Sequence, residues 1–482
     1  MTTQRVVRVR RDGEGVAAAR LREGVARIQE ELEVTPVFPP EVEQAAAKAA
    51  AAPRLPDLDR TELPFVTIDP PGSMDLDQAL HLERDGAGYV VHYAIADVAA
   101  FVTPGDPVDE ESHRRGETLY GADSTVPLHP RALSEDGASL LPDRVRPALL
   151  WTMRVDETGE GTDVHVERAL VRSTAQLDYE AAQRAIHEGD GPESLRLLRE
   201  VGELRLAREA ARGGVSLPLP EQEVDVDGDH WHLGFRHLLP VERWNAQISL
   251  LTGFAAASLM VYARVGLLRT LPAPDPHDVQ RLHRTARALG IEWPAEQLYP
   301  DFIRSLDPDD GRHAAMIVAS TRLLRGSGYV GFDGEVPAEP QHAALASEYA
   351  HVTAPLRRLG DRYAGEVCLA LCAGTEVPDW VLARLGDLPG TLAASAQRAR
   401  RYEKAILDLV EAGVLHGREG ERFEAVVVDV DKDPRRGTVT LREDGVEAPV
   451  EADSELPLGA EVTVTLARAS IDDRQVEFRL AP

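Results

Sequence analysis

The sequence predicts an α+β chain of several domains: a small helical N-terminal unit, a central domain in which strands give way to helices, and a C-terminal barrel of OB type. Three observations predict it. Apolar residues recur at helical spacing over 15–33, short β-rich runs broken by Gly and Asp turns fill 64 to about 172, and β-branched alternation returns after Gly417. At 482 residues the chain is also long for one core.

In chain order, Val16, Leu21, Val25, Ile28 and Leu32 define the first helix, "TPVFPP" ends it, and an alanine-rich helix follows from about 41 to 52. These make a helical unit over 1–58, of helix-turn-helix type, closed by the proline-studded linker "APRLPDLDRTELP". The second unit, 59–415, opens with the strands "FVTID", "DQALHLE", "YVVHYAIADVAAFV", "ALLWTMRVDE" and "TDVHVERALVRS". Helical patterns take over at 176–212 and 243–414, interrupted by "LLRTLPAPDPHD" and by glycine loops near 326–334. Between them, "EVDVDGDHWHLGF" has Asp-Gly at the centre of a hairpin signature. Its Asp225, Asp227 and Asp229 resemble a calcium loop only superficially, because the glycine is misplaced and no acidic ligand follows. The third unit, 416–482, carries strand runs with "DPRRG" and "EDG" as hairpin tips, the density of a five-stranded OB-type barrel.

Composition narrows the function. A net charge of −28 argues against a protein that coats phosphate generally, and requires that any nucleic acid enter a defined basic groove. No run of about 18 uninterrupted apolar residues predicts a membrane span, and no apolar stretch follows the basic start "MTTQRVVRVRRDGEG". Two cysteines suit a reducing cytoplasm. Cys368 and Cys372, at i and i+4, read as buried small side chains rather than half of a metal site.

The chemistry is concentrated in two stretches. "VTIDPPGSMDLDQALHLE" holds Asp69 at a strand end and Asp75 and Asp77 at the start of the next strand. Residues two apart on a strand share a face, so Asp75 and Asp77 are expected to converge, with the loop folding Asp69 toward them. Three such carboxylates repel one another unless a hard cation lies between them, and oxygen donors without a histidine pair favour Mg²⁺ or Mn²⁺. Such clusters equip metal-assisted phosphoryl transfer. The same residues also compose a solvated turn, and spacing alone leaves both readings open. The second stretch is "EYAHVTAPLRRLGDRY". Pro355 is expected to start or break a helix with Arg357 and Arg358 in its first turns, placed to grip a phosphate, and Tyr349 and His351 nearby to stack or hydrogen-bond.

Taken with "AIADVAAFV", "RGETLY…VPLHPRALSE…SLLPDRVRPAL" and "H-x₆-Y-x-H-x-T-x-P-L-R-R", in that order, the two stretches resemble the catalytic RNB domain of the ribonuclease II and ribonuclease R family over roughly 60–415. The terminal barrel is similar to the S1 RNA-binding domain of those enzymes. The resemblance implies strands packed with helices around a channel, and 3′–5′ hydrolysis of single-stranded RNA to nucleoside 5′-monophosphates with Mg²⁺. It assigns Asp69, Asp75 and Asp77 to metal and attacking water, Asp77 to the chemical step, and Arg357 to the scissile phosphate. It places Tyr120 and Tyr179 near the terminal nucleotides as stacking groups, and Glu242 as an RNA contact whose usual acidic neighbour is here Arg243. Arg358, Arg362 and the "RARRYEK" helix at 398–404 are candidates for a basic channel wall.

Two departures qualify the resemblance. Gln78 stands where the family has a fourth aspartate; its amide oxygen is expected to ligate Mg²⁺ without charge, weakening metal affinity rather than abolishing activity. Asp97 either compensates or is structural. The helical segment 1–58 is too short for the two cold-shock barrels of better-known members, so their RNA clamp is expected to be missing or replaced. The competing expectation is a catalytically inactive RNA-binding or regulatory protein with Gln78 as its lesion. Cytoplasmic location, no membrane and no obligatory protein partner complete the expectations.

Overall fold

A computed structural model describes residues 8–9, 16–121, 124–217, 221–227, 230–236, 238–308, 310–442 and 446–481. The centre is a closed barrel of β1 (Phe65–Asp69), β2 (Gln78–Asp85), β3 (Gly88–Ala96), β4 (Val145–Val155) and β5 (Gly161–Asp178). Neighbours are antiparallel except at the seam, where β1 runs parallel to β5 and Asp69 pairs with Asp178. The strand pleat serves two cores: Val91, Tyr93 and Ile95 join one with Leu149 and Trp151, while Ala94 and Ala96 join another with Ala148 and Leu150. Both faces are therefore apolar in this stretch. Only the first half of "YVVHYAIADVAAFV" is strand, because a short 3₁₀ turn, Val98–Ala100, follows Asp97.

Two N-terminal helices, α1 (Val16–Glu31) and α2 (Pro40–Ala51), form as the periodicity predicts, but their buried residues belong to different cores. Leu21, Val25 and Ile28 of α1 pack with Tyr402, Leu409 and the C-terminal barrel, whereas Val42 and Ala46 of α2 pack with Phe65, Leu76 and Phe101. Such a division gives no shared helix-turn-helix core. Ion pairs Arg27–Asp472 and Glu31–Arg474 tie α1 to the far end of the chain.

The remaining helices used below are α3 (Pro107–Arg115), α4 (Tyr179–Glu188), α5 (Glu193–Arg212), α6 (Pro240–Ala263), α7 (Leu359–Ala373) and α8 (Leu388–Leu415). One of them, α6, is long and apolar enough to cross a bilayer by length and composition, but half of its apolar window is buried. Val241, Trp244, Ile248, Leu251 and Met260 pack in the main core, as in a core helix.

The Asp-Gly segment forms the expected hairpin, Glu221–Asp227 against His230–Arg236, with its tip residues Gly228 and Asp229 outside the described residues. At the C-terminus, Arg422–Val430, Arg436–Leu441, Glu447–Glu451, Gln475–Leu480 and Glu461–Ser470 close, in that spatial order, into a five-stranded barrel. The α+β class and the C-terminal five-stranded barrel are as the alternation and periodicity predict; the closure of the central strands into a second barrel is a finding of the structure.

Candidate active site

Asp69 closes β1, but Asp75 and Asp77 precede β2 instead of lying on it. Between them Leu76 is fully buried, its N–H donating to Ser139 Oγ at 3.0 Å and its carbonyl accepting from Leu140 N at 3.0 Å. The pleat argument for convergence therefore does not apply. No three His, Cys, Asp or Glu side chains among the described residues are placed to hold a metal ion together. The three acids therefore do not close into the expected cage: the Asp75 charge acts on both Asp69 and Asp77, while Asp77 is itself engaged by the arginine loop.

Asp77 is 4% exposed and grips the arginine loop. Its Oδ1 accepts from Leu356 N at 2.8 Å and its Oδ2 from Arg357 Nε at 3.3 Å, although the arginine lies 280 residues downstream. Burial nevertheless pushes its carboxyl up to about 8, against the pull of Arg357. Asp69 is pushed up to about 7 by burial, with the Asp75 charge adding to the rise; Asp75 moves up for the same first reason. Asp69 Oδ2 is buried without a hydrogen-bond partner. Buried carboxylate oxygens with one left orphaned suit a hard cation. Mg²⁺ is usually held by one or two carboxylates, with water and substrate phosphate completing its shell.

The two arginines differ. Neither lies in a helix, because α7 begins at Leu359 with Arg358 as its N-cap, and a turn onto the Ala354 carbonyl precedes it. Arg357 keeps 40% of its side chain exposed, and among the described residues its guanidinium bonds only Asp77. Arg358, expected to contact RNA, instead makes a forked pair with Asp361, Nη2 to Oδ2 at 2.7 Å and Nε to Oδ1 at 3.0 Å. Arg362 is buried, bonded to Asp109 at 2.6 Å and stacked 4.8 Å over Trp380, so it walls no channel. In the 398–404 stretch Arg398 donates to the Arg114 and Arg115 carbonyls ending α3 and Lys404 pairs with Asp408, while Arg400 and Arg401 are exposed.

Gln78 is not directed as a ligand. Its Nε2 donates to the Thr353 carbonyl at 2.7 Å, and its Oε1 accepts from Tyr93 and from Ser249 Oγ at 3.3 Å. The Tyr93 hydroxyl donates to the amide oxygen, and the Ser249 proton is shared between that oxygen and the closer Tyr93 oxygen, so the structure commits Gln78 to hydrogen bonds in place of the expected metal ligation.

Among the aromatic candidates, Tyr120 lies with the acids and Arg357, whose charges act on it, and burial pushes its hydroxyl up to about 12. The seam pairing of Asp69 with Asp178 sets half-buried Tyr179 beside the acidic strand end. Tyr349 is 6% exposed, set edge-on to Phe254 at 5.8 Å and His351 at 5.4 Å, so it presents no ring for base stacking. It fits because residue 253 is glycine: a Cβ there would stand 2.1 Å from the Tyr349 ring. Glu242 is likewise internal, paired with Arg236 at 2.7 and 2.9 Å and capping Leu239 N at 2.8 Å, a structural role in place of the expected RNA contact. Asp97 bridges Arg168 at 2.7 Å, and Arg168 also reaches Glu366, which settles Asp97 as structural. Cys368 is buried and Cys372 partly so, both unpaired.

Sequence reasoning missed Tyr93, Ser249, Thr353 and Asp361, which hold the site residues in place. Only Asp361 carried a signal, an acid three residues after Arg358.

Comparison with known proteins bears on the family and the fold. An RNB domain matches residues 58–370, and an RNase II-type exonuclease C-terminal S1 domain matches 421–481. Ribonuclease R of Aquifex aeolicus is 28% identical over 395 residues, 77% of this chain and 54% of that protein. The chain spans about half the length, or less, of the curated relatives it matches. Among solved structures, Mycoplasma genitalium RNase R in complex with ribose-methylated single-stranded RNA superposes with TM-score 0.85 at 18% identity, covering 96% of this chain and 78% of that one. Yeast Ssd1, a pseudonuclease, superposes with TM-score 0.65 at 16% identity, covering 88% and 54%. At such identities the structural likeness speaks for the fold alone. The sequence match, however, covers most of the chain and encloses both Asp77 and Arg357, so the chain belongs to the RNB-domain family.

Proposed function

We propose that the chain is a metal-dependent 3′–5′ exoribonuclease that hydrolyses single-stranded RNA to nucleoside 5′-monophosphates in the cytoplasm, without an obligatory protein partner. One observation carries the reading: Asp77 and Arg357, far apart in sequence, meet beside two further half-buried acids, with the guanidinium partly open to solvent. Direction and products follow from the family resemblance.

Asp69 and Asp75 would hold the Mg²⁺ or Mn²⁺ ion, whose oxygen-only donor set they match. When bound, such an ion supplies Lewis acidity and lowers the pKa of water. Arg357 is oriented through its Nε by Asp77, which leaves its Nη groups for the scissile phosphate and the charge developing on it. Water adds in line to phosphorus and gives up a proton to solvent as the P–O3′ bond breaks. O3′ takes up a proton from solvent, so that the shortened RNA leaves with a 3′-hydroxyl, and the phosphate departs on the released nucleoside 5′-monophosphate. Tyr120, among the acids and Arg357, and Tyr179, one residue past the seam partner of Asp69, would supply sequence-tolerant contact for the terminal bases.

The test is a 5′-labelled single-stranded RNA incubated with Mg²⁺ or Mn²⁺. Progressive shortening from the 3′ end, lost in Asp77→Asn, is the expected result. RNA binding without shortening at generous metal would instead establish an inactive RNA-binding protein, a reading favoured by the absence of a three-acid metal cluster among the described residues.

A further inference from the structure

We propose that Gln78 is a positioning residue whose side-chain amide fastens the arginine loop, residues 353–358, to the strand start carrying Asp77, and so sets where Arg357 stands. Thr353 and Tyr93 are 3% and 1% exposed, so the bonds among them are shielded from water. The amide orientation is dictated by its partners. A backbone carbonyl only accepts, so the Thr353 oxygen must face Nε2, which it does at 2.7 Å. The Tyr93 hydroxyl on β3 donates to Oε1 from the other side, itself held by Ser249 Oγ on α6 at 2.8 Å. One residue earlier, Asp77 takes Leu356 N at 2.8 Å. Two consecutive side chains therefore grip the loop at 353 and at 356, on either side of Pro355.

This placement inverts the reading of Gln78 as a lesion in a metal cage. An isosteric carboxylate, Gln78→Glu, would set an anionic oxygen against the Thr353 carbonyl where an N–H now stands at 2.7 Å. Aspartate would also fall a methylene short. Adding charge at this position is expected to loosen the loop, not to repair the site. The proposal rests on the exoribonuclease reading only for its turnover measurement; its binding and exchange measurements stand without it.

The experiment uses the full chain as wild type, Gln78→Glu, Gln78→Leu, Arg357→Ala and each Gln78 variant combined with Arg357→Ala. Affinity for a fluorescein-labelled single-stranded oligouridylate is measured in EDTA, backbone amide exchange is followed over 349–358, and kcat and KM are measured with Mg²⁺. Both Gln78 variants are expected to speed exchange at Leu356 and to weaken RNA binding roughly tenfold, the scale for a buried carbonyl left unpaired. On the Arg357→Ala background neither should weaken binding further, because the effect runs through that arginine. Wild-type affinity and protection in Gln78→Glu, a rise in kcat with tighter Mg²⁺ binding, or effects additive with Arg357→Ala would each overturn the proposal. Should wild type bind no RNA, the exoribonuclease reading fails, and exchange alone decides: unchanged protection in the variants overturns the clamp. If Gln78→Glu does not fold, Tyr93→Phe, which frees one lone pair of Oε1, must show the same two changes at smaller size, and no change there overturns the clamp.

Discussion

Removing Asp361 should cost more stability than removing any acid of the candidate metal pair. Its carboxylate is fully buried, forks onto Arg358 at 2.7 to 3.1 Å, and accepts Ala354 N at 2.8 Å. Breaking a buried pair by deleting one partner costs about 3–5 kcal/mol, because the other charge is left uncompensated. The orphaned Ala354 N–H adds about 1–3 kcal/mol. Arg358 retains 22% side-chain exposure and recovers part of its hydration, so Asp361→Ala should lose about 4 kcal/mol, near the lower bound of the sum. Arg358→Leu combined with Asp361→Leu should restore most of the ionic part while still leaving Ala354 N–H unpaired. Urea unfolding followed by tryptophan fluorescence reads the stability, and amide exchange at Ala354 reads the local release. A loss under about 1 kcal/mol for Asp361→Ala, or a double variant as unstable as the sum of both singles, would refute the reasoning.

Stability without metal should fall as pH rises from about 4 to about 8. Asp69 and Asp77, raised to about 7 and about 8 by burial, keep protons in the folded chain that the unfolded chain has already released. Their contribution is complete below the unfolded carboxyl pKa and lost through the folded values, so the Tm gain on adding Mg²⁺ should grow between pH 6 and pH 8.5; a gain that shrinks over that range contradicts the two-carboxylate site. Arg362→Met should destabilise by about 3–5 kcal/mol in thermal or urea unfolding, because it strands the buried Asp109. Arg357→Ala should reduce the salt slope of RNA binding by about 0.7, the counterion equivalent of one phosphate contact on a single strand. Arg358→Leu, whose charge is already neutralised, should leave that slope unchanged in titrations of labelled RNA at several salt concentrations.

The central strands, the hairpin and the terminal five-stranded barrel were legible because alternation and turn residues are local signals; the closure of the central strands was not, because its parallel seam joins strands some hundred residues apart. The acids and Arg357 were legible as chemistry for the same reason, since Asp69, Asp75 and Asp77 lie within nine positions. What each side chain is committed to was not. Leu76 is an unremarkable apolar residue in sequence, yet its burial and its bonds to 139 and 140 fix the backbone between the flanking acids. Arg362 looks like Arg357 on paper; its partner Asp109 lies 253 residues away and only the fold joins them. Glu242 reads as an exposed acid near a helix start, whereas its pair with Arg236 depends on the hairpin returning to that point.

The arginine loop shows how a chain of net charge −28 can hold a polyanion without a broadly basic surface. Three guanidinium groups fall within six residues, yet Asp361 and Asp109 neutralise the second and third. Those two serve to fix the loop. Asp77 also contacts the first, but through a single Nε bond at 3.3 Å, and leaves much of the side chain in solvent. Charge is thus spent on architecture at 358 and 362 and kept for a ligand at 357. A buried amide suits the position next to Asp77 for the same reason. Gln78 ties the loop with directional hydrogen bonds and adds no negative charge to a neighbourhood where three carboxyls already resist ionising. An acid fewer is then consistent with a site in which the protein supplies a small, loosely filled donor set, and the RNA phosphate supplies the rest of the negative charge.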